Sequence, residues 1–140
     1  MPQSLLSCFV FALSLTSAVS SVKVETADEL ISAFKTAPPK EDIEVLADLD
    51  FSGTDLTLPL GVSSSGSCAS YSRVFHGNGH TIKGIKMNTT GNTQYRRAGL
   101  FCNLKDATVE NLVIDSSCSF IGGYVGVLSP SITGSLVVKN

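Results

Sequence analysis

Apolar residues change their spacing twice along this chain, and each spacing marks a different kind of element. Leu5 to Leu15 is a nearly continuous apolar run. From Ala27 the apolar positions fall at helical intervals (Ala27, Leu30, Ile31, Phe34), and after Ile43 they alternate with polar residues in short segments broken by Gly, Asn, Asp and Ser. Helical spacing puts one face of a helix in register, whereas alternation puts one face of a strand in register. The helix is expected over Thr26 to Lys35. Thr26-Ala27-Asp28-Glu29 reads as a capping box, with the Thr26 hydroxyl accepting from the Glu29 N–H and the Glu29 carboxylate reaching back to Thr26. Pro38-Pro39 ends it. About ten residues do not hold a helix alone, so its apolar face must dock on something.

Ile43, Val45 and Ala47 then alternate with Glu44 and Leu46, predicting a strand from Ile43 to Phe51, with Asp48 and Asp50 as turn residues. Gly61 to Ser72 is a Ser/Gly-rich loop carrying Cys68, and it reads as an insertion because strand patterning resumes directly after it. Beyond it lies a repeat. Thr81 to Asn88 aligns without gaps onto Thr108 to Asp115, and Ala98-Gly99-Leu100-Phe101 aligns onto Val125-Gly126-Val127-Leu128, both at an offset of 27 (108 − 81 and 125 − 98). Val138-Lys139-Asn140 echoes Val109-Glu110-Asn111 as the start of a third copy.

Units this short cannot bury their apolar residues singly, and stacking them makes a continuous core. The expected fold class is therefore all-β, a parallel β-solenoid. The 27-residue offset places Ile82 beneath Val109, Ile85 beneath Leu112 and Met87 beneath Ile114. Strands of successive coils satisfy one another's backbone groups. A solenoid end exposes apolar ladders and strand edges, and the amphipathic helix is suited to cap the first end. No comparable cap follows, so the solenoid is expected to continue past Asn140 or to be completed by a partner.

The run Leu5 to Leu15 is too short to span a bilayer, which takes about 20 apolar residues. With Ala18-Val19-Ser20 after it, it reads as a secretory signal over residues 1–20, leaving a mature domain of 21–140 with no transmembrane segment. Cys8 leaves with the signal. Cys68, Cys102 and Cys118 then allow one disulfide in an oxidising compartment, in any of three pairings. The net charge of −2 and the scattered basic residues argue against nucleic acid as a partner, and Arg96-Arg97 reads as a solvated edge.

The blocks Ala47 to Gly53, Phe75 to Ile85, Gly99-Leu100-Phe101 and Val109 to Leu112 resemble repetitive surface proteins of the GLUG-motif type, which belong with pectin-lyase-like parallel β-helices. His76 stands where that pattern usually has Asp, and Cys102 where it has Gly. The resemblance implies a right-handed parallel β-helix with an N-terminal helical cap, secreted or displayed, and an adhesive or undefined role. It carries over no catalytic residues.

Enzymatic chemistry on such a fold would be a polysaccharide lyase, with acidic side chains holding Ca²⁺ and an Arg or Lys base, or a glycoside hydrolase with two facing carboxyl groups. The candidates are Asp106, Glu110, Asp115, Lys83, Arg96 and Arg97; Lys83 and Glu110 share one register at the offset of 27 and read as a solvated ion pair. His76 and His80 flank the turn Gly77-Asn78-Gly79, which does not align two imidazoles for a metal as a helix would. No metal, cofactor or catalytic residue is therefore assigned. Asn88-Thr89-Thr90 is an N-glycosylation sequon. The leading expectation is a non-enzymatic structural or adhesive module offering Lys83, Lys86, Glu110 and the loop 88–94 to an extracellular glycan or protein surface. The alternative is the N-terminal part of a carbohydrate-active enzyme.

Overall fold

The computed structural model describes residues 20–140, and the apolar run with Cys8 lies outside them. The chain is a parallel β-solenoid. Its elements are β1 (Ser21–Val24), α1 (Ala27–Ala33), β2 (Asp42–Val45), β3 (Leu49–Asp50), β4 (Val74–His76), β5 (Thr81–Lys83), β6 (Lys86–Asn88), β7 (Arg97–Ala98), β8 (Leu104–Glu110), β9 (Val113–Ile114), β10 (Ser119–Ile121), β11 (Tyr124–Val125) and β12 (Ile132–Lys139). Strands stack in parallel on four faces: β1-β2-β4-β8-β12, β3-β5-β9, β6-β10 and β7-β11.

Alternation within each strand sends one set of side chains inward. On the five-stranded face the inward row is Val22, Ile43, Phe75, Val109 and Val138, one residue from each strand. Ile82 lies between Leu49 and Ile114 on the next face, and Met87 stacks with Phe120 on the third. Each fully buried side chain of this size contributes about 1.5–3 kcal/mol through removal from water. The first coils also enclose an aromatic cluster, in which Phe101 lies 5.7 Å from Phe34, 5.7 Å from Tyr71 and 5.4 Å from Phe75 between ring centroids. The buried Tyr71 hydroxyl donates to the Val74 carbonyl at 2.8 Å, and burial pushes its pKa well above the usual tyrosine value.

The ladder partners differ from those expected. Ile82 does not lie beneath Val109: Ile82 stacks on Ile114, and Val109 stacks on Phe75. Likewise Met87 meets Phe120, and the Ile85 carbonyl accepts from Ser119. The offset between coils is 34 residues from Phe75 to Val109 and 32 from Ile82 to Ile114. It becomes 27 only at Arg97↔Tyr124 and Ala98↔Val125. Unequal turns are the cause. Eight residues (89–96) separate β6 from β7, whereas only Gly122 and Gly123 separate β10 from β11. That six-residue loop excess changes the offset from 33 at Lys86↔Ser119 to 27 at Arg97↔Tyr124. The second repeat block is therefore structural: Leu100 and Phe101 N–H groups donate to the Val127 and Leu128 carbonyls. A side chain at Gly99 would collide with the Gly126 carbonyl, which explains the glycine there. The start of a third copy is also in register, with Val138 on Val109 and Lys139 on Glu110.

Two local readings change in detail. The segment expected as one strand from Ile43 to Phe51 turns a corner after Val45 and resumes as β3, so Leu49 is core while Leu46 faces water. The helix stops at Ala33 instead of Lys35, because Phe34 and Lys35 close it with bonds to Ile31 and Ser32, three residues back. Thr26 caps it, its hydroxyl accepting from Glu29 N–H at 3.1 Å, but the Glu29 carboxylate accepts from Glu25 N–H at 2.7 Å, one residue earlier than the box geometry expects. Ala27, Leu30 and Phe34 bury the helix against the first coil, so α1 is the expected cap. The disulfide joins Cys68 to Cys102 and ties the Ser/Gly loop to the second coil, leaving Cys118 as a half-buried thiol.

Candidate functional site

The outward positions of the five-stranded face form a second row, Lys23, Glu44, His76, Glu110 and Lys139, whose residue types alternate between basic and acidic from coil to coil. Lys23 Nζ is 4.0 Å from Glu44, and His76 Nδ1 is 2.6 Å from Glu110 Oε1. The other ring nitrogen of His76 lies 3.6 Å from Asp42, which Arg73 approaches at 3.5 Å. Both imidazole nitrogens thus face carboxylates of this same row and its neighbour. Partly exposed pairs of this kind are worth under about 1 kcal/mol each.

A second row crosses the β3-β5-β9 face. Asp50 pairs with Lys83, and Asp115 follows Ile114 in the next coil. Hydrogen bonds hold these acids. Asp50 and Asp115 are lowered below the usual carboxylate pKa chiefly by the Ser52 and Ser117 hydroxyls, and Asp48 by the Thr81 N–H. The ion pair expected between Lys83 and Glu110 does not form, because the two stand on different faces; Lys83 sits among Asp48, Asp50 and Asp115, while Glu110 holds His76.

The remaining candidates are dispersed. His80 turns to Asp48 at 3.4 Å, away from His76, so the two histidines do not converge. Asn78 between them has a φ of 54° and donates to the Val45 carbonyl, which makes Gly77-Asn78-Gly79 a corner. Asp106 occupies an irregular point of β8 and accepts from Ser135 N–H at 2.9 Å. Among the described residues no group of three or more His, Cys, Asp or Glu is placed to hold a metal ion. No helix among them is long and apolar enough to cross a membrane. Asn88 is exposed at the end of β6, its side-chain oxygen accepting from the Thr90 N–H and hydroxyl.

The β7-β11 face differs in kind. Arg97 pairs with Tyr124, and its guanidinium lies 5.5 Å over the tyrosine ring. Tyr124 is 68% exposed. Along the chain Arg96-Arg97 reads as an isolated edge, and nothing local marks Tyr124. The signal was present, since the 27-residue offset that joins Ala98 to Val125 also joins Arg97 to Tyr124.

No family model, curated protein or solved structure matches this chain.

Proposed function

We propose that this protein is a secreted or surface-displayed β-solenoid of the GLUG-motif type, acting as a non-enzymatic structural or adhesive module. The observation that carries the reading is the arrangement of outward side chains in rows across the coils, with Glu44 and Glu110 facing basic neighbours and Asp48, Asp50 and Asp115 held by hydroxyl or backbone N–H donors. Rows of that kind present a long, regular surface for contact, with Lys83 and His76 standing between the carboxylates of neighbouring coils. The disulfide supports an oxidising destination, in keeping with the apolar run ahead of Ala18-Val19-Ser20. Asn88 offers a glycan acceptor in the same setting.

The test uses the full chain expressed through a secretory route. Mass spectrometry of the exported protein should give a first residue near Ser21. The exported protein should bind immobilised cell-surface glycans or matrix proteins and leave polygalacturonate unchanged. Retention inside the cell, or an absorbance rise from unsaturated uronate product, would overturn the proposal; the second outcome would make the chain part of a lyase.

A further inference from the structure

We infer that Tyr124, Arg97 and Arg96 form a subsite for an acidic sugar, a pyranose ring bearing a sulfate or carboxylate. The inference rests on the adhesive reading above and gives it a ligand class. Charge segregation comes first. All twelve acidic residues lie outside segments 86–105 and 116–140, whereas Lys86, Arg96, Arg97, Lys105 and Lys139 lie within them. The faces built from β6, β7, β10 and β11 are therefore basic, and no ion pair among the described residues involves Arg96 or Arg97. These two guanidinium groups are exposed and lack a carboxylate partner there.

Shape is the second part. Phe34, Phe51, Tyr71, Phe75, Tyr95 and Phe101 are buried, yet Tyr124 presents its ring to water from the outer side of β11. Arg97 lies against that ring and holds it in place through a cation–π contact. Beside it, Gly122 and Gly123 carry no side chains. A Cβ on Gly122 would point inward onto the buried Thr89 and Ala98, which keeps that corner tight, while exposed Gly123 leaves bare backbone next to Tyr124. An exposed aromatic ring beside bare backbone receives the C–H face of a pyranose. A planar guanidinium beside it receives a carboxylate or sulfate through paired N–H donors, which a lysine does not reproduce. A nucleic acid would be met instead by a long track of phosphate contacts, and two adjacent arginines do not supply one.

The experiment titrates the disulfide-bonded full-length protein with size-defined heparin fragments, hyaluronan fragments and neutral dextran, with single-stranded DNA as a further arm. Binding of heparin or hyaluronan, absent with dextran and weakened by salt, is expected, and the tighter of the two identifies sulfate or carboxylate as the group read. Tyr124→Ala and Arg97→Ala should each weaken that binding at least tenfold with no change in thermal midpoint. Arg97→Lys should recover only part of the loss, Arg96→Ala should lose less than Arg97→Ala, and Lys23→Ala, which removes one charge from a distant face, should bind as the parent does. Equal loss from Lys23→Ala would reduce the effect to bulk charge and overturn the subsite. Equally tight, Tyr124-dependent binding of DNA would overturn the glycan assignment. Adhesion to neutral glycans that survives Tyr124→Ala would overturn the subsite while leaving the adhesive reading intact; lyase turnover would remove that reading itself.

Discussion

The first and the last described coils carry the same kind of side chain in the same inward row, yet these side chains meet different surroundings. At the first end Val22 and Ile43 lie in a row closed by α1, whose Leu30 is fully buried. In the last described coil Val138 takes the same inward position above Val109 and is 61% exposed. A hollow of about 290 Å³ opens there between Val109, Leu112, Ile114, Leu128 and Val138. Burial in this fold is thus conferred by the coil above and the coil below. A residue's worth depends on how many neighbouring coils it has, as expected where each repeat contacts only its neighbours.

The largest effect should come from the middle of the row. Phe75 has coils on both sides and an edge-on contact with Phe101. Phe75→Ala should cost about 3–5 kcal/mol, read as a fall in the denaturant midpoint. A loss below about 1 kcal/mol would mean the coils do not stack as described. Removing the disulfide comes next. The double variant Cys68→Ser/Cys102→Ser, which avoids a stray thiol beside Cys118, should lose about 2–4 kcal/mol because a closed loop in the unfolded chain is released. The parent protein titrated with reductant should show the same loss.

Much of this architecture was legible in the chain, and the part misread has a definite cause. The helix cap was written in Thr26, Leu30 and Phe34, and the stacking of coils in the Gly99-Leu100-Phe101 and Gly126-Val127-Leu128 match. The offset of 27 for Thr81 to Asn88 was an alias. Thr81-Ile82-Lys83 and Thr108-Val109-Glu110 share a Thr–apolar–charged pattern because every outer strand obeys the same inside–outside rule. They occupy different faces of the solenoid, β5 and β8. Similar strands at successive corners look like repeats of one another, and only the lengths of the turns reveal the true register. Those lengths vary here, with four residues from His76 to Thr81 and two from Glu110 to Val113. The Arg97–Tyr124 pair lay within the correctly aligned block. Charge read along the chain does not show it, because the pair forms only across coils.

Below the disulfide in size stands Val109→Ala. Val109 is 2% exposed between Phe75 and Val138, and losing two methyl groups from that position should cost about 2 kcal/mol. At the capped end, Thr26→Ala removes the acceptor for the Glu29 N–H and should cost about 1 kcal/mol. Thr26→Ser keeps that acceptor and should recover most of the loss in the same denaturation experiment.

The smallest effect discriminates best between the two ends. Val138→Ala deletes the same two methyl groups as Val109→Ala from the next rung of the same row. Residue type, strand geometry and inward direction are shared, so the remaining difference is a covering coil. With most of its surface already in water, Val138 should lose under about 0.5 kcal/mol, against about 2 kcal/mol for Val109. The comparison also reports on anything that comes to cover this last described rung. If a bound partner buries Val138, the cost of Val138→Ala measured in the complex should rise toward that of Val109→Ala. If the two substitutions cost the same in the isolated chain, the last rung is already covered in solution, and the contrast between the ends fails.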